Sequence, residues 1–404
     1  MKIIIAHNRY QQPGGEDVVV RQETEMLRNA GHQVLLYERS NHETERFTGI
    51  KQAALFAHTT WSPDTRREFE ALLSRERPDI VHVHNTFVMI SPSIYGACKT
   101  AGVPVVQTLH NYRLFCPAHT FLRDGVPCED CVNRSLLSSV RHRCYRGSAA
   151  ASAAAATMLA VNRLLGTYRE DIHCYIALTE FARTKFVECG LPVKKVAVKP
   201  NFIHPDPGER QSIGNWAVFM GRLAPEKGVA TALRAWKLLS PEMELKIIGD
   251  GPALDDLRQI ASQLEVRNVT FLGRLPRHEA FEYLARARFL LFPSEWYESF
   301  PMTILEAYAH GVPVVASRLG VMPEIVKEKH TGLLFEPRDP ESLAGVVKTL
   351  WDDMGAIRQL GQNARREYVT RYTADENYRQ LMAIYRGVLE HKEEEVACSC
   401  AVSF

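Results

Sequence analysis

Two glutamates stand eight positions apart in Glu298-Ser-Phe-Pro-Met-Thr-Ile-Leu-Glu306, and an apolar run, Val312–Ala316, follows closely. Ser299 suits the N-cap of a helix, Pro301 its first turn and Gly311 its end. Such a start offers free N–H groups and the positive end of the helix dipole. With about six of the eight steps helical, the two carboxylates would stand roughly 9 Å apart along the axis. One can then grip a sugar and the other a ribose, with a diphosphate between them. The ordinary alternative is a pair of exposed glutamates on an amphipathic helix. The apolar neighbours Phe300, Ile304 and Leu305 point instead to a buried setting.

Cations and glycines add to this chemistry. Arg222 and Lys227 lie in Gly221-Arg-Leu-Ala-Pro-Glu-Lys-Gly228, past a strand-like run and before a helical one. Together they can neutralise a diphosphate without a metal, although each alone also reads as a solvated surface charge. Gly14-Gly15 follows the first strand and opens a helix, which lets backbone N–H groups approach an anion or simply makes a turn. Cys116, Cys128, Cys131 and Cys144 form C-x11-C-x2-C-x12-C in a long loop. Four thiolates at this spacing can hold a structural zinc; unpaired thiols, or two disulfides in an oxidising compartment, are the alternatives. Arg134, Arg141, His142, Arg143 and Arg146 share that loop and read either as a contact for anionic lipid or as a solvated surface.

Short β-branched runs alternate with segments of helical period and must carry these residues. The first series has strands at Ile3–Ala6, Gln33–Tyr37, Ile80–His84 and Val103–Leu109, with helices at Gly15–Asn29, Arg66–Arg75 and Ser93–Thr100. After Tyr112 the pattern lapses for about thirty-five residues, a length that marks a functional or stapled loop. It resumes with a helix over Ser148–Arg169, a strand at Cys174–Leu178, a helix at Phe181–Cys189 and a strand at Val196–Lys199. Pro200–Asn215 is aperiodic and reads as a linker. A second series runs from strand Ala217–Met220 to strand Val312–Ala316, and Thr373–Glu394 is a charged helix before a frayed tail, Val396–Phe404. Such βαβα alternation predicts α/β architecture with parallel sheets covered on both faces. The expected domains are 1–203, with an insertion at 111–147, and 204–372, followed by a helix and tail at 373–404 that packs back on the first domain. A ligand is expected between the facing C-terminal strand ends of two doubly wound domains.

Composition narrows the function classes. The chain has 404 residues, 46% hydrophobic and 24% charged, which excludes disordered, collagen-like and disulfide-miniprotein classes. Residues 1–200 carry 25 Lys+Arg against 19 Asp+Glu, and residues 201–404 carry 24 against 28, so only the first half is mildly basic. No run is long and apolar enough to span a membrane, and Ala149–Leu165 is broken by polar residues. Met1–His7 is too short and too quickly polar for a signal peptide, which points to the cytosol. A dinucleotide fingerprint is missing, since Gly249-Asp-Gly251 lacks its third glycine, and no Gly-Lys dipeptide allows a P-loop. Basic residues without interleaved aromatics give no support to nucleic-acid binding.

From Gly14-Gly15 through Arg222 and Lys227 to the E-x7-E of Glu298 and Glu306, nearly the whole chain resembles the retaining glycosyltransferases of family 4, the group that includes glycogen synthases and bacterial mannosyltransferases. The set Pro293-Ser…Glu298…Glu306-Ala…Gly311-Val-Pro-Val-Val-Ala316 is specific to that group. His110, at the end of Val105-Val-Gln-Thr-Leu-His-Asn111, matches its donor-sugar histidine. The resemblance implies the GT-B fold, two Rossmann-like domains across a cleft, and a hexosyl transfer from a UDP- or GDP-sugar to a saccharide or polyprenyl-linked saccharide. It implies phosphate contacts from Gly14, Gly15, Met302 and Thr303 beside Phe300, base contacts near Arg274 and Leu275, ribose held by Glu306 and donor hydroxyls by Glu298. Arg222 and Lys227 would stabilise the leaving diphosphate, and no cofactor would be required. By analogy the work is bacterial surface polysaccharide synthesis at the inner face of the membrane. An epimerase or phosphorylase on the same scaffold, or a nucleotide-sugar binder without catalysis, are the other readings.

Overall fold

The computed structural model describes residues 1–11, 14–46 and 50–401, with side chains for all of these except 45–46, 50–53 and 391–401. Two compact units emerge, one of Met1–Phe121, Cys128–Asn201 and Asn377–Phe404, the other of Leu122–Pro127 and Phe202–Glu376.

The first unit holds a six-stranded sheet of β1 (Lys2–Arg9), β2 (Gln33–Ser40), β3 (Ile80–Asn85), β4 (Val105–Leu109), β5 (Cys174–Ala177) and β6 (Val196–Val198). Its order is β2-β1-β3-β4-β5-β6 and every pairing is parallel. Ile3, Ile4 and Ile5 are fully buried, as strands covered on both faces require. Helix α1 (Gly15–Asn29) leaves the end of β1. Between β1 and β3 the register slips after Ala6, so Ala6 pairs with Val83 but His7 with Asn85. That irregularity sits where the strand order reverses.

The second unit holds β7 (Trp216–Met220), β8 (Glu244–Ile248), β9 (Val269–Gly273), β10 (Leu290–Phe292), β11 (Val314–Ser317) and β12 (Gly332–Phe335). Their order, β9-β8-β7-β10-β11-β12, places the switch point between β7 and β10. Helix α2 (Met302–Ala309) follows β10, and Ile247, Trp236, Phe289, Phe335 and Trp351 join one buried cluster.

Several expectations are corrected. The helix read over Ser148–Arg169 ends at Leu164, because Gly166 takes φ +73, and a separate turn spans Thr167–Glu170. The region between β11 and the C-terminal helix, to which the sequence reading assigned no element, contains β12 and the helices Pro340–Trp351 and Met354–Arg371, capped by Asp339 and Asp353. The C-terminal helix α3 (Ala374–Ala401) runs through most of the segment expected to be frayed; residues 402–404 lie outside the described residues. Residues 199–215 contain no helix or strand, yet Phe202 and Ile203 are buried and Arg210 donates to the carbonyls of Ala287 and Ile357.

Backbone packs on backbone at the C-terminal ends of β7, β8 and β10. A Cβ on Gly249 would lie 1.8 Å from the Gly221 carbonyl oxygen, and one on Gly228 would lie 1.9 Å from that of Pro293. Gly228 also takes φ +69. Gly228→Ala should therefore destabilise the second unit by about 2 kcal/mol or more, read as a lower urea midpoint. An unchanged midpoint would contradict this account of the packing.

Candidate active site

In the second unit the loops after β7 and β10 meet at the switch point, the position where open α/β sheets bind ligands. The β7 loop carries Arg222, exposed, and Lys227, half-buried at the end of the short turn Pro225–Lys227. The β10 loop carries Glu298, which is 6% exposed. Lys227 Nζ lies 2.6 Å from Glu298 Oε1, and Ser294 Oγ donates to the same oxygen at 2.8 Å. The ammonium also lies 5.3 Å from the Trp296 ring. The Glu295 amide donates to the Glu226 carbonyl at 2.8 Å, which clips the two loops together. Glu295 accepts in turn from Thr231 and Arg338. Beside the pair, the buried Trp296 Nε1–H has no partner among the described residues, a donor left over for a ligand.

Helix α2 starts later than its sequence suggested. Pro301, not Ser299, occupies the N-cap and supplies no capping side chain. Only the four steps from Met302 to Glu306 are helical, so a spacing derived from six helical steps does not apply. The Met302 amide donates to Phe300 and the Ile304 amide to Pro301. Thr303, second in the helix, has no intrahelical acceptor for its N–H. Gly311, at φ +69, lies just past the helix end, as expected. Phe300, Met302 and Thr303 are half-buried, while Arg274 and Leu275, just after β9, are exposed and half-buried respectively. Glu306 contacts Arg277 at 3.3 Å. Burial pushes the Glu306 carboxyl up to about 7, with Arg277 pulling the other way.

His110, Gly14 and Gly15 belong to the first unit. Gly14 is the N-cap of α1, and its amide donates to Asp17 Oδ2 at 2.8 Å, so it is already engaged; Gly15 is the first helical residue. His110 is half-buried past the end of β4, with its Nε2 2.9 Å from His84 Nδ1. Burial and the neighbouring His84 hold the His110 imidazole well below its ordinary range, so it is neutral. Behind it lie Glu23, His82, His84 and Lys199, a buried group that sequence reasoning missed. His82 and His84 alternate along β3 and could have been noticed; Glu23 and Lys199 come from distant segments with no local signal. Glu16 was also missed: it accepts from Tyr10 at 3.1 Å, and burial pushes its carboxyl up to about 8.

Cys116, Cys128, Cys131 and Cys144 lie in the first unit and are not joined in disulfides. Burial pushes the Cys131 thiol up to about 11, with Cys116, Cys144 and Cys128 as the charged neighbours that add to it. Among the described residues, the group whose ligand-type atoms all lie within 4.8 Å of one another is Glu23, His82 and His84, not the four cysteines. The insertion around them is stiffened by Arg113, whose guanidinium stacks on Phe87 and Tyr145. Arg134, Arg141, His142, Arg143 and Arg146 are exposed. No helix among the described residues is long and apolar enough to cross a membrane.

Comparison with known proteins follows the same division. Residues 13–207 match the model of Glycosyltransferase Family 4, and residues 206–367 that of Glycosyl transferases group 1. An exopolysaccharide phosphotransferase, SCO2592, of Streptomyces coelicolor is 33% identical over 230 residues, 55% of this chain but 24% of that protein. An uncharacterized glycosyltransferase, MJ1607, of Methanocaldococcus jannaschii is 24% identical over 390 residues, 90% of this chain and 92% of its own. Among solved structures, Alr3699/HepE of Anabaena in complex with UDP and glucose superposes with a TM-score of 0.68 at 17% identity, covering 96% of this chain and 100% of that one. A sucrose-phosphate synthase of Thermosynechococcus elongatus gives 0.68 at 18% identity, covering 96% and 99%.

The Glu306 carboxyl generates a pH prediction. A folded pKa raised above the unfolded one supports the fold fully at pH below the unfolded value, and that support is lost as pH rises through about 7. Between about pH 4.5 and 8, wild type should lose on the order of 3 kcal/mol relative to Glu306→Gln. Urea unfolding of both proteins at the two pH values reads it; parallel losses would sink it.

Proposed function

We propose that this chain, which belongs to the group 1 glycosyltransferases and has the two-unit GT-B fold, moves a hexose from a UDP- or GDP-sugar to a saccharide or polyprenyl-linked saccharide with retention of configuration. The observation that carries this reading is the Lys227–Glu298 pair at the β7/β10 switch point, with Arg222 on the same loop. A cation and a carboxylate held 2.6 Å apart can separate onto two parts of one ligand, the ammonium to a diphosphate and the carboxylate to sugar hydroxyls. The complexes of Alr3699/HepE with UDP and glucose agree with such a donor.

In this reading, Arg222 and Lys227 stabilise the charge that develops on the departing diphosphate, and the start of α2 contacts phosphate oxygens through the Thr303 amide and through the Met302 amide once it leaves the Phe300 carbonyl. Glu306 takes the ribose, the Arg274–Leu275 backbone meets the base, Gly15 approaches phosphate, and His110 touches the donor sugar. The acceptor attacks on the face from which the diphosphate leaves, and the leaving phosphate takes the acceptor proton, so no second catalytic carboxylate and no cofactor is needed. Bacterial surface polysaccharide synthesis at the inner membrane face, with the arginines of the insertion against anionic lipid, is the proposed setting. A structural zinc on Cys116, Cys128, Cys131 and Cys144 is proposed as a staple of the insertion. Metal analysis of purified protein should find one zinc per chain; none, together with four titratable thiols, would end that assignment.

Arg222→Ala, Lys227→Ala and Glu298→Ala should each lower transfer by about 100-fold or more, with folding intact by circular dichroism. The assay incubates labelled UDP- and GDP-sugars with and without acceptor. Nucleotide release that depends on acceptor is the expected result. Wild-type turnover in all three variants would overturn the site, and no release with any donor would leave a binder rather than an enzyme.

A further inference from the structure

Behind His110 the first unit buries more ionisable groups than a structural core needs. Glu23 is 1% exposed, on α1; His82 and His84 are 0% and 4% exposed, on β3; Lys199 is 1% exposed, just past β6. Lys199 Nζ contacts Glu23 Oε2 at 3.0 Å and Asn377 Oδ1, on α3, at 3.1 Å. Glu23 Oε1 faces two ring nitrogens, His82 Nδ1 at 3.0 Å and His84 Nε2 at 3.2 Å. Burial opposes ionisation of Glu23, but Lys199 and His82 outweigh it and hold the carboxyl well below its ordinary range. Glu23 is therefore an anion.

The anion sets the protons of the rings that follow. A nitrogen lone pair 3.2 Å from a carboxylate oxygen is repelled, so His84 turns an N–H to Glu23 even though the ring is not aligned for a full hydrogen bond. Burial pushes the His84 imidazole down to about 3, so it is neutral and has only one N–H. Its Nδ1 is then a bare acceptor, 2.9 Å from His110 Nε2, with the two rings stacked at 21°. His82 is fixed on the other side, since its Nε2 meets Thr108 Oγ1 at 2.8 Å and its Nδ1 meets Tyr385 Oη, on α3, at 2.7 Å. A dication on Glu23, His82 and His84 would have to share that carboxylate with the Lys199 ammonium already seated on its other oxygen.

We propose that His84 is a positioning residue for His110: its Nδ1 accepts the His110 Nε2–H, and the Lys199–Glu23 pair behind it fixes one ring orientation and one tautomer, in which His110 Nδ1 is the acceptor offered to a donor-sugar hydroxyl. The sugar contact rests on the function proposed above; the tautomer does not. The device reaches His110 from α1, β3, the end of β6 and the C-terminal helix, so a ring past the end of β4 is held by a buried chain rather than by solvent.

Full-length protein labelled with 15N-histidine tests it by long-range 1H–15N correlation. Wild-type His110 should show a protonated Nε2 and a bare Nδ1. His84→Phe keeps a flat ring but no acceptor; it should mix the His110 tautomers and lower kcat about 10- to 100-fold, with donor KM changing less. His84→Asn, whose Oδ1 can stand near the lost Nδ1, should restore most of both, and it serves if the phenylalanine variant does not fold. A protonated Nδ1 on wild-type His110, or a His84→Phe protein with unchanged tautomer and kcat, overturns the proposal. Should His110→Ala transfer at the wild-type rate while the wild-type spectrum is as expected, the positioning stands and the sugar contact fails.

Discussion

A carboxylate taken out of water needs a countercharge, and Glu298 has one only because two loops from opposite sides of the switch point touch. The contact is made by backbone. Gly228 lets the β7 loop lie against Pro293, and Gly249 lets the β8 loop lie against Gly221, with no space at either place for a methyl group. Lys227 is the residue before Gly228, and Arg222 follows Gly221, so the same close approaches that seal the loops also aim the cations. The ion pair is thus a consequence of strand order, since in the order β9-β8-β7-β10 the β7 and β10 loops are neighbours although some seventy residues separate them.

Buried charge is handled differently in the first unit. There the compensated group is Glu23, and its partners are Lys199 and two histidines in a closed, nearly solvent-free cluster. The second-unit pair keeps a half-buried lysine and an indole N–H without a partner among the described residues, features of a site that exchanges partners. The first-unit cluster draws its partners from several elements, α1, β3, the end of β6 and α3, and suits holding something still.

Much of this was legible from residue order, for physical reasons that differ by element. Strands β1 and β11 read as apolar runs because both faces of a parallel sheet are covered, and the alternation with helices followed. Glu298, Glu306, Lys227 and Arg222 were legible because their motifs are local. Ser299 misled because Pro301 shifted the helix start by its own backbone geometry, which capping preference does not weigh. Gly166, a few residues past the alanine-rich stretch, was passed over, although its left-handed conformation breaks the helix there. The Glu23–His84–His110 chain was not legible, since its members come from segments far apart and meet only through sheet order and the packing of α3.

The central claim is that the β7 and β10 loops cradle a nucleoside diphosphate. Isothermal titration of the full-length protein with UDP and with GDP, followed by soaking of crystals with whichever binds, tests it most directly. The account predicts one site per chain, with the diphosphate beside Lys227 and the start of α2. No heat with either nucleotide, or a nucleotide bound elsewhere with those loops untouched, would contradict it.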